Sequence, residues 1–275
     1  LKTIEQSDID RFPYLSYLDE FLSNYMSIFE LKCCLSSLEE YNVDYYLIDG
    51  SIYGDLQNPF PKGVETSAKA KKELISATLN DFEEMVKNPS DKSVYSPKLF
   101  NKYFKIYQEH KYPYTLYLTT IERLVVLKEI LKNPRKMIAI SKSSSNNDIF
   151  HSNMPDIAIF DKYTQKEGIS KVIRKKVSKD INTTFPVFDE FFKDLKFTIF
   201  YLRLADYKNV LKVELPYEAS MAEIEEIASK LKKFSTNGYP YLLKKAHNDV
   251  VISDKNIKEL INIAKVREKS GREML

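Results

Sequence analysis

Between positions 14 and 40 the apolar residues Leu15, Leu18, Phe21, Leu22, Tyr25, Met26, Phe29, Cys33, Leu35 and Leu38 recur at spacings of three and four. That period places them on one stripe and predicts a long helix, or two joined, over Tyr14 to Glu40. Val43 to Ile48 then changes to a short β-branched and aromatic run, which predicts a strand closed by Asp49-Gly50-Ser51. The pattern repeats later: a helix over Ile121 to Leu131, a strand over Met137 to Ser141, and a polar loop from Lys142 to Asp148.

The stretch 55–115 contains Pro59, Pro61, Gly63, Pro89 and Pro97 around one amphipathic run, Ala68 to Lys87, and reads as an insertion with its own helix. Asp156 to Phe160 is expected as a third strand. Lys171 to Lys179 carries five basic residues with Val172, Ile173 and Val177 among them, the pattern of a solvated strand or helix face. Leu195–Leu204 and Val210–Leu215 predict an antiparallel pair, and the C-terminal part reads as helical. There Met221 to Phe234 is followed by the turn Asn237-Gly238-Tyr239-Pro240, a helix through His247, and a last helix capped by Ser253 or Asp254. This order argues a single α/β domain over 1–275 with a mixed sheet and helical elaborations.

Composition narrows the options only modestly. With 275 residues, 43% hydrophobic and 13% aromatic, the chain can bury a sizeable core. Its balance of 42 basic against 39 acidic residues allows a local basic channel but no cationic coat. Cys33 and Cys34 are neighbours on a helix and point to different faces, which disfavours a mutual disulfide and fits a reducing cytoplasm. No apolar run approaches the roughly 20 residues of a membrane span, and the acidic N-terminal stretch is not a signal peptide. With six glycines and no phosphate-binding loop, nucleotide-driven chemistry is not expected.

Asp49 at a strand end has an ordinary explanation as a turn residue. Glu30 alters the balance, because it lies on the apolar helix among Met26, Phe29, Leu31, Cys33 and Cys34, where an unpaired carboxylate is costly to bury. A salt bridge to Lys32 or Lys136 would satisfy it. So would a divalent cation shared with Asp49, since carboxylate oxygens suit Mg²⁺ and Mn²⁺ and such a site serves phosphodiester hydrolysis. Lys142 could direct a cation at the same place. His247 shares a helical segment with Tyr239-Pro240-Tyr241, where Tyr and His could bind phosphate or move a proton. His110 and His151 have no companions, and no zinc spacing exists.

Taken in order, Tyr25 to Glu30, Tyr45 to Ile52, Ile138 to Ser144, Phe200 to Leu204, and Gly238 to Leu242 with Ala246-His247 resemble the motifs of the NurA nucleases of archaea and some bacteria. The resemblance implies an RNase H-like α/β fold with a mixed sheet flanked by helices. It also implies a homodimer around a DNA channel, and a Mn²⁺-dependent (or Mg²⁺-dependent) 5′ to 3′ exonuclease and single-strand endonuclease. The implied partner is a hexameric HerA-type ATPase acting in DNA end resection. Residue by residue, Glu30 and Asp49 match the metal-binding acids, Tyr239 and His247 the C-terminal pair of the active site, and Lys142 the motif lysine. The family's earlier strand ending in another Asp-Gly-Ser has no counterpart before Glu30. Two expectations follow: a chain missing N-terminal residues, consistent with Leu1, or a variant with an incomplete metal site and weak or absent cleavage. Reading Asp49 as that first acid would need new acids downstream, of which Glu122 is the best.

Overall fold

The structure is a computed structural model that describes residues 15–57, 78–88, 91–103, 111–177, 189–192 and 195–250. Helix α1 spans Leu15–Glu40 and leads into strand β1, Tyr46–Asp49, and the short helix α2, Ile52–Gln57. Residues 78–86 are helical (α3), followed by α4, Ser96–Tyr103, and α5, Lys111–Ile130. Strand β2, Met137–Ser141, precedes α6, Asp156–Tyr163, and strands β3, Gly168–Ile169, and β4, Ile173–Lys176. A short helix α7, Asp189–Phe192, comes before β5, Lys196–Arg203, and β6, Leu211–Leu215. The described chain closes with α8, Met221–Lys233, the hairpin strands β7, Ser235–Thr236, and β8, Tyr239–Pro240, and α9, Tyr241–Val250.

The central sheet is mixed, in the order β1-β2-β6-β5-β3, with β4 also on β5. β1 and β2 run parallel and every other pair is antiparallel. Both faces are covered. Along β5 the period of two sends Phe197 and Ile199 into a cluster with α1 and α5, while Phe200 and Leu202 pack with Ile224, Ile227 and Leu231 of α8. Burying both faces turns β5 and β2 into nearly continuous buried runs. α8 starts at a capping box in which the Ser220 hydroxyl accepts from Glu223 N at 3.3 Å and the Glu223 carboxylate accepts from Ser220 N at 2.8 Å.

The first helix, β2, the β5–β6 pair and α8 fall where the hydrophobic pattern predicts them. β1 begins three residues later than expected and takes in Asp49, because Asp49 still pairs with Ile140. α5 starts at Lys111 rather than Ile121: Pro113 lies in its first turn, where no intrahelical donor is lost. Asp156–Phe160 is a helix and not a strand. A five-residue apolar run fits either period, and here Pro155 leads into the helix while the Asp156 carboxylate accepts the amides of Ile149 and Phe150 at 2.9 and 3.1 Å. Arg203 then donates to Thr164 O at 2.9 Å at the other end. Both contacts fix a turn of helix that periodicity cannot see.

Within the stretch 55–115, Phe82, Val86, Val94 and Leu99 are buried, and Phe82, Val86 and Leu99 join the cluster of α1 and α5. Residues 68–77 of the predicted insertion helix, His110, Lys179, and the cap at Ser253 or Asp254 lie outside the described residues. Cys33 and Cys34 are both free thiols, and no helix among the described residues is long and apolar enough to cross a membrane.

Candidate metal and phosphate site

The parallel pairing of β1 with β2 brings two strand ends together. Asp49 is the last residue of β1, opposite Ile140, and Lys142 follows the last residue of β2. The turn between Asp49 and α2 is held twice: Gly50 N donates to Ile140 O at 2.9 Å, and the Ser141 hydroxyl donates to Gly50 O at 2.8 Å. Gly50 takes φ +148°, a conformation closed to most side chains.

The third contributor arrives from the C-terminal hairpin. Asn237 and Gly238 adopt φ 55° and 76°, and β7 and β8 pair Thr236 with Tyr239. Gly238 is required on two counts, since an added Cβ would also stand 2.5 Å from Lys208 Cβ. The tight turn delivers the Tyr239 hydroxyl to within 3.2 Å of Asp49 Oδ2, where it donates. Lys142 Nζ donates to the same oxygen at 3.2 Å and lies 4.5 Å from the centre of the Tyr239 ring. Asp49 and Lys142 remain 42% and 52% exposed, so their pairing contributes little to stability and their consequence is chemical.

Burial alone would lower the Lys142 ammonium's pKa, but its contacts with Tyr239 and Asp49 outweigh this and hold it above the ordinary lysine value. Partial burial raises the Tyr239 phenol, with the Lys142 charge working the other way. The site therefore brings the Asp49 carboxyl group, a Lys142 amine held in its charged form and a Tyr239 phenol held in its neutral form to one solvent-facing point.

Glu30 lies at an exposed position of α1 rather than in the core. Its carboxyl is pushed up first by partial desolvation and then by the negative charge of Asp49, so the two acids sense one another. The salt bridge expected for it from Lys32 does not form, because Lys32 is buried against Glu122, with Nζ 2.6 Å from Oε1. Glu122 is fully buried and also accepts from Tyr95 N and Ser96 N, which makes it a structural acid and removes it as a metal ligand. His247 is exposed on α9, one turn beyond the buried Leu243; His151 is an exposed residue at φ 50°. Asp49, Lys142 and Tyr239 are thus in contact, Glu30 is coupled to them by charge, and His247 stands on the helix that continues from Tyr239.

Two charged residues that the sequence pattern hid lie beneath this point. Lys212 and Glu214 alternate with the apolar residues of β6 as solvent-facing positions would, yet they are 2% and 0% exposed and paired at 2.7 Å. Nothing in the alternation marks them as buried.

A carboxyl such as Glu30, whose proton affinity burial and a neighbouring carboxylate raise, marks a place where a hard divalent cation relieves repulsion, and oxygen donors suit Mg²⁺ or Mn²⁺. Glu30 and Asp49 fit such an ion in chemistry. Among the described residues no group of three or more His, Cys, Asp or Glu side chains gathers as a metal cluster.

A NurA domain model matches residues 2–252 of the chain. A Methanocaldococcus jannaschii protein named "Probable DNA double-strand break repair nuclease NurA" is 30% identical over 94% of this chain and 68% of its own length. The DNA double-strand break repair nuclease NurA of Sulfurisphaera tokodaii is 31% identical over 90% of this chain and 66% of its own. The chain thus spans about two thirds of the length of these relatives. The crystal structure of the NurA nuclease from Sulfolobus solfataricus superimposes with TM-score 0.61 at 24% identity, covering 97% of this chain and 69% of that one. A crystal structure of NurA bound to dAMP and manganese matches the fold with TM-score 0.59 at 16% identity, over 92% of this chain and 78% of that one. The motif order, the mixed sheet with its two covered faces, and the matched span together place this chain in the NurA domain family.

Proposed function

We propose that this chain acts as a metal-dependent DNA nuclease of the double-strand break repair type, with its phosphate-handling site at Asp49. The observation that carries this reading is the meeting of Asp49, Lys142 and Tyr239 at the ends of two parallel strands, with Glu30 coupled to Asp49 by charge. Glu30 and Asp49 would hold Mn²⁺, or Mg²⁺. A bound divalent ion supplies an acidified water and stabilises charge on phosphoryl oxygens. Lys142 offsets the charge of the scissile phosphate, Tyr239 donates a hydrogen bond to it or to Asp49, and His247 lies on α9 to meet the next phosphate or pass a proton.

The reading extends to 5′ to 3′ exonuclease and single-strand endonuclease activity. It also takes in a homodimer as the working unit and a HerA-type hexameric ATPase as the partner that moves duplex DNA in end resection. Family membership supports these finer points, and strands labelled at either end, with a co-purification assay, test them. The test of the site is cleavage of single-stranded DNA with Mn²⁺ by the parent and by Asp49→Ala. A loss of at least ~100-fold is expected for removing a metal-holding carboxylate; an Asp49→Ala protein as fast as its parent overturns the reading.

A second reading is a non-catalytic or weakly active interaction subunit. It is favoured by one observation, that the described residues bring two and not three metal-holding acids together. Cutting that appears only when a further N-terminal segment is supplied would reject it.

A further inference from the structure

We infer that the buried Glu214–Lys212 pair is the positioning device of the site, holding the Asp49 turn and the Lys142 loop in register from beneath. The inference rests on the functional reading above and names residues outside it. Glu214 is on β6 opposite Ala139, in the middle of the sheet, and is completely buried. A carboxylate there is expensive unless every oxygen is used.

Both oxygens are used, and on the turn that carries Asp49. Oε1 accepts from the Ser51 hydroxyl at 2.6 Å, and Oε2 accepts from Tyr53 N at 2.9 Å. Tyr53 N is among the first amides of α2, which have no partner within their own helix. Glu214 therefore caps α2 from a remote strand, and α2 begins three residues after Asp49. The Ser51 hydroxyl in turn accepts from Gly54 N at 2.9 Å. A turn so pinned leaves the Asp49 carboxylate little freedom to swing.

The other half of the pair reaches the second functional segment. Lys212 Nζ lies 2.7 Å from Glu214 Oε1 and donates to Asn146 Oδ1 at 3.3 Å, in the loop that starts at Lys142. Asn146 also donates to Asp148 at 3.0 Å, whose other oxygen binds Lys175 of β4 at 2.5 Å. One buried ion pair thus joins the two chain segments whose tips meet at Asp49 and Lys142. Neither Glu214 nor Lys212 touches the solvent point where phosphate would lie, so their part is positioning and not catalysis.

The experiment compares Ser51→Ala, Ser51→Thr and Glu214→Gln with Thr198→Val in the full chain. Thr198 is a fully buried residue of β5 that pairs with Leu215, and its hydroxyl is bonded to Tyr217 O at 2.8 Å and to Ala219 N at 2.9 Å, neither of which belongs to this network, so its loss destabilises without removing a network hydrogen bond. Ser51→Ala and Glu214→Gln are expected to raise the Mn²⁺ concentration for half-maximal cleavage, and to lower kcat with KM little changed. The size expected is roughly 10- to 100-fold, as for groups that orient metal ligands. Ser51→Thr keeps the hydroxyl and should restore most of it; Thr198→Val should lower only the melting temperature. Should Glu214→Gln fail to fold, Ser51→Ala still removes the bond to Glu214, together with the one from Gly54 N, while leaving Glu214 paired with Lys212. Equilibrium Mn²⁺ binding followed by EPR, and a crystal structure of Ser51→Ala, read the same point without turnover. If Asp49 keeps its place and Mn²⁺ binds as in the parent, or if the variants track Thr198→Val, the inference is overturned. A parent indifferent to Asp49→Ala overturns the functional reading instead.

Discussion

At the residue scale the site depends on backbone conformations as much as on side chains. Gly50 has open space where a Cβ would go, yet its φ of +148° is strained for any other residue. Gly50→Ala is therefore expected to cost about 1–3 kcal/mol through the backbone alone. Chemical denaturation measures it, and a change within error would show that the turn relaxes freely. Asp49 was legible in the sequence because a strand pattern ended on it, and Tyr239 because Asn-Gly marks a tight turn. Glu30 was legible as a carboxylate in an odd place, but its exposure was not: a helical stripe assigns a face only to within a residue or so, and position 30 lies at the edge of the α1 stripe. Lys32 shows the reverse error. A lysine two positions on reads as solvent-facing, and it is buried because Glu122, 90 residues away in sequence, meets it.

At the element scale, local chemistry decides where helices and turns begin. The Ser220 capping box satisfies two amides that α8 would otherwise leave open, so Ser220→Ala should lower stability by about 1 kcal/mol, read as a fall in melting temperature. The segment ahead of α4 is set by a different cap. The Tyr95 hydroxyl and Ser93 N both donate to Asp91, and these bonds draw its carboxyl down from 3.8 to about 2. A depressed carboxyl contributes stability that is whole above its unfolded value and is lost as pH falls through its folded one. Urea unfolding should therefore show stability falling between about pH 4 and pH 2, and Asp91→Asn should flatten that part of the curve. An unchanged slope in the variant would assign the acid lability elsewhere. The type is most firmly set by many repeats of one period, as in α1 and β5, while five-residue runs such as β2 and β6 were read correctly on less. Among the described residues the type failed at α6, a short run whose helix is fixed by Asp156 and Arg203, contacts invisible to any local pattern.

At the scale of the whole molecule, a mixed sheet between two helical layers buries more than apolar groups. Lys32 and Glu122 couple α1, α5 and the 93–96 segment at the heart of one layer. Lys32 Nζ sits 2.6 Å from Glu122, donates to Ser93 O, and lies 4.3 Å from the Tyr95 ring centre. Glu122 meanwhile gathers Tyr95 N, Ser96 N at 2.8 Å and the Ser96 hydroxyl at 2.5 Å. Removing only the cation leaves a fully buried anion with no counter-charge, a change that typically costs ~3–5 kcal/mol. Lys32→Met should lose that much at neutral pH. Adding Glu122→Gln to Lys32→Met should recover part of the loss, because a neutral amide still accepts from the 95–96 amides with its oxygen. Hydrogen exchange at Tyr95 and Ser96 locates the effect: faster exchange in Lys32→Met than in the double variant is the expected order. If both variants are equally stable, the charge of Glu122 is compensated by those amides alone, and Lys32 is there to fill space.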